Sequence, residues 1–220
     1  MAKSFGWMLS ALMIPGAMIF QPVAAQSYVG VELSRENISF KPTYQFVNGT
    51  ADQSFHNRAS GATGGVVVGY RWKPAQGLSW DLHGRLSGSD NAWKLSLPEE
   101  SATFRYDLPV SLSFSLAPVW QVSDKVALFA EAGVAVGKIR EQKHAPVTSH
   151  YDIQTWRPGL LAGLGVRVAL DNQWALRLGY QRIGYRSHDF DTFDAAGRQV
   201  EAVRSRVTQR ESTLGLIRAF

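Results

Sequence analysis

Three neighbouring residues, Ser187, His188 and Asp189, bring together the side-chain types of a nucleophile, a general base and an orienting acid. Adjacency in the chain does not supply the geometry of such a relay, and no hydrolase motif accompanies them. The same stretch, His-Asp-Phe-Asp-Thr-Phe-Asp over 188–194, spaces acids as a calcium loop does but lacks that loop's sixth-position Gly and twelfth-position Glu. The histidines, at 56, 83, 144, 150 and 188, have no metal spacing. With no cysteine there is no thiol chemistry and no thiolate zinc site. The expectation is no enzyme, no metal and no cofactor. What remains is solitary charge: Glu32, Arg71, Asp81, His83, Arg85, Glu131, Arg167 and Arg177 each stand between apolar residues or glycine.

The elements that hold these charges show a period of two. Segments near 27–38, 62–72, 78–88, 104–120, 126–140, 155–169, 173–185 and 207–220 alternate apolar with polar or small residues, the pattern of a strand with two unlike faces. In RYDLPVSLSFSLAPVW (105–120) the apolar set runs from Tyr106 and Leu108 to Trp120. Pro109 and Pro118 each remove a ladder donor, so a bulge or strand end is expected near each. Three connections, 73–77, 121–125 and 170–172, are short and of turn composition. Four others, 39–61, 89–103, 141–154 and 186–206, are longer and polar. Their strict alternation predicts an all-β, up-and-down antiparallel meander of eight strands.

The aromatics suggest which solvent meets the apolar faces. Tyr28, Trp72, Trp80, Trp120, Trp174 and Phe220 stand beside short turns or the chain end; Phe104, Tyr106, Trp156 and Tyr180 stand near the long connections. Two aromatic rims imply two membrane interfaces. Tyr106 and Trp120 are separated by roughly 35 Å at ~3.3 Å per residue and a tilt of ~40°, enough to bracket an apolar band of ~25 Å. A transmembrane barrel is expected over 26–220. Residues 1–25 read as a cleaved export signal, with Lys3, an apolar run and Val23-Ala24-Ala25 before the cut. The formal net charge of +5 becomes +4 without Lys3 and is no argument for nucleic acid.

The final residues, STLGLIRAF, resemble the signal by which outer-membrane barrels are recognised for assembly: Phe220 is the terminal aromatic, Gly215 sits five before it, and Leu214 and Leu216 fill the outward positions. Arg218 departs from the pattern, which prefers an aromatic there. SYVGVELSRE (27–36) is similar to the first strand of the same proteins. The mature chain thus resembles the small eight-stranded outer-membrane β-barrels of the OmpA/OmpX and opacity-protein type. The resemblance implies an outer-membrane location, short periplasmic turns, long extracellular loops and the barrel assembly machinery as a partner.

In such a barrel the solitary charges face the lumen. Eight strands leave an interior that side chains fill, and an unpaired buried charge is costly, so Glu32, Asp81 and Glu131 are expected to pair with Arg71, Arg85, Arg167 and Arg177. The network is either a closed plug or a gate that passes ions. Lys138, Arg140, Lys143, Arg157, Arg182, Arg186, Arg204, Arg206 and Arg210 gather near the long connections. They either clamp lipopolysaccharide phosphates or are solvated charge balanced by Asp189, Asp191, Asp194 and Glu201. The expected role is structural or surface-interacting, as a monomer, with outer-membrane lipid and lipopolysaccharide as partners and an extracellular ligand for the loops. A narrow passive channel and an envelope-lipid enzyme are the alternatives.

Overall fold

The computed structural model describes residues 25–47, 51–75, 77–97, 102–144, 151–194 and 196–220. The segment expected to be an export signal, 1–25, lies outside them except for Ala25, which opens the first strand. The strands are β1 (Ala25–Phe46), β2 (Gln53–Ser54), β3 (Asn57–Ala75), β4 (Leu78–Ser89), β5 (Ala92–Leu97), β6 (Ala102–Gln121), β7 (Val126–His144), β8 (Tyr151–Ala169), β9 (Trp174–Tyr185), β10 (His188–Phe193) and β11 (Gln199–Ala219). All pairings are antiparallel between neighbours, and β1 pairs with β11 from Tyr28↔Ala219 to Phe46↔Glu201, which closes the ring. The pieces β2/β3, β4/β5 and β9/β10 each act as one interrupted stave, so the ring has eight.

The tight turns follow from their residues. Gly77 has φ +79°, a conformation that favours glycine. In the β8–β9 turn, Asp171 Oδ1 accepts the backbone N–H groups of Gln173 and Trp174, both at 2.7 Å. The long connections are largely strand, which corrects the expected boundaries. β1 runs on to Phe46 and β11 begins at Gln199, and 89–103 and 186–206 contain β5 and β10.

The outward aliphatic stripes stand as the alternation predicts: Val66, Val68, Leu82, Leu86, Leu112, Phe114, Leu128, Val134, Leu160, Leu164, Leu178 and Leu214 are all exposed on the barrel's outer face. Trp72 and Trp80 stack at 6.5 Å beside the first tight turn, and Trp120, Trp174 and Phe220 continue that rim. Three aromatics of the expected rims face the other way, Phe104 being half-buried against the interior apolar cluster with the inward Lys143 over its ring. Tyr28 is buried in the lumen, with its hydroxyl 3.1 Å from His83 Nδ1. Tyr106 and Leu108 are also buried, because the β6–β7 register shifts between Asp107 and Val110, around Pro109. A one-residue bulge exchanges the faces of everything beyond it. The outward apolar run of β6 is therefore Val110–Trp120, which at ~3.3 Å per residue and ~40° tilt spans about 25 Å, the height of an apolar band. Pro118 keeps its register with Trp80 on β4, three residues before β6 ends.

Candidate functional site

The interior of the lipid-spanning half is a connected set of ion pairs. Arg71 and Asp81 face each other across the β3–β4 ladder and join through two bonds, Nε to Oδ1 at 2.7 Å and Nη2 to Oδ2 at 2.9 Å. Arg167 reaches the same carboxylate at 3.1 Å. Arg177 donates to Glu32 at 3.1 Å and to Glu131 at 2.9 Å, with its guanidinium over the Phe129 ring. Ser115 also donates to Glu131, at 3.0 Å. Arg85 Nε lies 3.0 Å from Glu32, and its Nη1 contacts Glu211. Glycines give these carboxylates room: a Cβ on Gly215 would meet Glu32 Cγ at 3.0 Å, and one on Gly163 would meet Glu131 Oε1 at 2.8 Å. Gly215, predicted as part of an assembly signal, thus stands against the lumen network.

Above this level the interior changes character. Ile38, Phe40, Leu108, Ile139, Ile183, Tyr185 and Val207 form a buried apolar cluster. Over it lies a second polar layer. Arg157 and Ser205 both donate to Glu141 at 2.6 Å, and Lys143 bonds both oxygens of Glu201 at 3.1 and 3.2 Å. The hydroxyls of Tyr44, Tyr106 and Tyr151 meet at 2.8–3.5 Å, and burial raises all three phenol pKa values, so the cluster stays protonated. Charged, apolar and polar layers follow one another along the axis. An interior cavity lined by Tyr28, Asp81, His83, Phe129, Arg167 and Arg177 has room for about one water, ≈ 10 Å³.

The sequence-predicted residues fall into two groups. Glu32, Arg71, Asp81, Arg85, Glu131, Arg167 and Arg177 all lie in the lumen and come together. Glu36, Glu211, Gln181 and Gln209 belong to the same network and were outside the expected set: Gln181 and Gln209 donate to Glu211, and Glu36 accepts from Thr63, Ser89, Asn91 and Gln209. Of the predicted lipopolysaccharide contacts, Arg157 is corrected. It is 3% exposed and turned inward onto Glu141, so it faces no lipid. Lys138, Arg140, Arg182, Arg204 and Arg206 face outward. Arg140 stands 3.9 Å from Asp107, and Arg204 is held by Asp189 through two bonds at 2.9 and 3.0 Å. Arg182 lies directly opposite Arg210, and Arg206 opposite Lys41, with no carboxylate on any of these four among the described residues.

Ser187, His188 and Asp189 do not converge. His188 packs its ring against Phe190, and Asp189 points out to Arg204. Asp194 serves the β10–β11 turn, accepting the backbone N–H groups of Ala196 and Arg198, both at 2.9 Å. Those bonds hold its carboxyl below the ordinary aspartate range. No group of three or more metal-ligating side chains occurs among the described residues.

Comparisons with known proteins agree with this architecture. The profile of a family described as "outer membrane protein beta-barrel domain" matches residues 9–205. Solved structures of low identity are similar to this chain. The outer membrane protease OmpT of Escherichia coli matches with a TM-score of 0.52 at 8% identity, covering 89% of this chain and 97% of its own. Neisserial surface protein A matches at 0.47 and 15%, covering 90% and 99%. OprG of Pseudomonas aeruginosa matches at 0.45 and 9%, covering 87% and 96%. No curated protein matches the chain.

Proposed function

Because this chain belongs to the outer membrane protein β-barrel domain family, we propose that it is a sealed, non-enzymatic barrel that acts through its outer wall and extracellular end. The observation that carries this reading is the layered interior: paired charge, then buried apolar side chains, then a second polar layer. An ion on the axis would have to break the ion pairs of Arg85 and Arg177 and then cross the shell of Ile38, Phe40 and Ile183. On this reading the chain is exported with removal of residues 1–25, assembled through its terminal segment, and works as a monomer. The test is conductance of the refolded protein in a planar bilayer at several salt concentrations. Silence is expected, with insertion verified independently. Discrete steps that scale with salt would make the lumen a path and overturn the reading.

A specific feature of the wall supports lipopolysaccharide as its lipid partner. Arg182 and Arg210 face each other across β9 and β11, with Arg35 diagonal to Arg210 on β1. Like charges directly opposite are destabilising unless an anion lies between them. Beneath them a shallow, open depression on the apolar wall, lined by Leu33, Arg35, Leu178, Ser212 and Leu214, could take an acyl chain below a phosphate held by the guanidiniums. Arg182→Ala with Arg210→Ala should lower the lipopolysaccharide that co-purifies from native membranes. Unchanged co-purification would remove this contact from the reading.

A further inference from the structure

We propose that the short-turn end of the lumen holds a binding site for one small monovalent anion of the halide class. Its seat is the water-sized cavity among Asp81, His83, Arg167 and Arg177.

Charge is spread unevenly along the lumen network. At the level of the cavity Asp81 serves two guanidiniums, those of Arg71 and Arg167. One level further in, three carboxylates, Glu32, Glu131 and Glu211, share the two guanidiniums of Arg85 and Arg177. The open end thus carries one positive charge in excess, and the level behind it one negative charge. Within a wall surrounded by lipid an uncompensated charge is costly, and an anion beside Arg167 offsets it. Arg167 bonds Asp81 through Nη1 alone among the described residues, which leaves Nε and Nη2 as donors.

His83 supplies a second donor. It is 5% exposed, and its Nε2 has no hydrogen-bond partner among the described residues, a rare state for a buried polar atom. The Tyr28 hydroxyl occupies Nδ1 at 3.1 Å. Glu32 Oε1 stands 4.0 Å from Nε2, beyond hydrogen-bond reach, and its charge favours the ring proton on that nitrogen. Nε2–H is then a donor without an acceptor. Phe129, Ala117 and Ile217 close the rest of the cavity with apolar surface, which strengthens the electrostatics by excluding water. A water molecule would satisfy His83 and leave the positive excess in place; an anion answers both.

Size and access select the anion. Room for about one water admits a halide with a small movement of the Arg167 head and excludes sulfate or a carboxylate. Along each lining strand the next inward residue toward the open end is small: Ser79, Ala127, Ala169, Ala175 and Ala219. No long side chain from these positions crosses the mouth, and the side chains of Arg71, Asp81 and Arg167 remain 9%, 13% and 12% exposed. The site requires only this end to be open, so it stands whether or not the lumen conducts.

The experiment uses the refolded protein in a nonionic detergent. Chloride binding is read as excess broadening of the chloride NMR line, with bromide, sulfate and gluconate as competitors at equal ionic strength. Saturable broadening that bromide removes and that sulfate and gluconate leave is expected. Arg167→Gln should weaken binding about tenfold or more, because it removes a charged donor. His83→Leu should weaken it in the same direction while leaving every arginine–carboxylate pair in place, so it decides the matter even if Arg167→Gln does not fold. Lys125→Gln, on the turn surface of the same end, should leave binding unchanged. Heat-modifiable gel mobility shows that each variant is folded. The denaturant midpoint of the unaltered protein should also rise in chloride relative to gluconate, and that rise should vanish in His83→Leu. Absence of saturable broadening, equal binding by His83→Leu, or equal displacement by sulfate would overturn the proposal.

Discussion

Along β1 the outward residues Val29, Val31 and Leu33 give way to Arg35, Asn37, Ser39 and Lys41, while the inward residues Glu32, Ser34 and Glu36 give way to Ile38, Phe40 and Tyr44. β11 repeats this in the reverse direction. Leu216 and Leu214 are followed outward by Arg210, Arg206 and Arg204, and Glu211 is followed inward by Val207 and Val203. The lower half of the barrel is thus apolar outside and charged within, and the upper half is charged outside with an apolar cluster within, capped by the second polar layer. The alternation continues through the change in both strands. What changes is the surrounding solvent: lipid below removes water from the outer face, so polar groups gather inside and must satisfy one another, whereas water above restores the burial pattern of an ordinary sheet. The level where both faces exchange polarity marks the outer edge of the membrane on the protein itself.

The comparison can be broken first in the lower interior. Glu32→Ala removes the acid shared by Arg85 and Arg177 and should cost about 3–5 kcal/mol, read as the denaturant midpoint of the refolded barrel. An unchanged midpoint would mean that the charges are solvated and the lumen is wet. Next, Leu164→Arg on the lipid-facing wall should cost about 2–4 kcal/mol, while Ser60→Arg on the outer face of the upper half stays within about 0.5 kcal/mol. Equal costs for the two would abolish the boundary drawn here. In the upper core Ile38→Val should cost about 0.5–1.5 kcal/mol, because neighbouring side chains cannot refill the space; Leu33→Ile, facing lipid that can adapt, should cost less. The smallest effect belongs to the β10–β11 turn. Asp194 is held below the ordinary aspartate value by the N–H of Arg198, so the turn gains stability from it above the unfolded value and loses it as pH falls through the lower folded one. The amide shifts of Ala196 and Arg198, followed by NMR, should titrate with that depressed midpoint. A midpoint at or above the ordinary value would count against the capping bonds.

The same contrast explains which parts of the site were legible. Arg71, Asp81 and Arg177 could be assigned to the lumen because each stands on the face opposite a stripe of leucine, valine or aromatic residues. Glu211 and Glu36 lie on strands whose outward stripe is already turning polar, with Arg210 and Arg35 beside them, so the contrast between the faces fades there. Arg157 was misplaced for a related reason: it adjoins Trp156 in sequence and shares its height, but the opposite parity turns it onto Glu141. The signal that would have found the upper strands was present in 38–46 and 199–211, where Ile38, Phe40, Tyr44, Val203 and Val207 keep the period of two with the apolar face reversed. Tyr106 was hidden by a bulge, which a repeating pattern cannot reveal except through the proline that accompanies it.

The sequence by itself determined the period of two, the positions of the tight turns and the apolar outer belt, because these depend on residues near one another in one chain segment. Ring closure, the choice of partners for each lumen charge and the meeting of Lys41 with Arg206 depended on the tertiary structure. Those contacts join residues far apart in the chain, as are Ser34 and Thr213, 179 positions from each other. A strand's alternation states which face a side chain takes; only the register with its neighbours decides which other side chain it meets there.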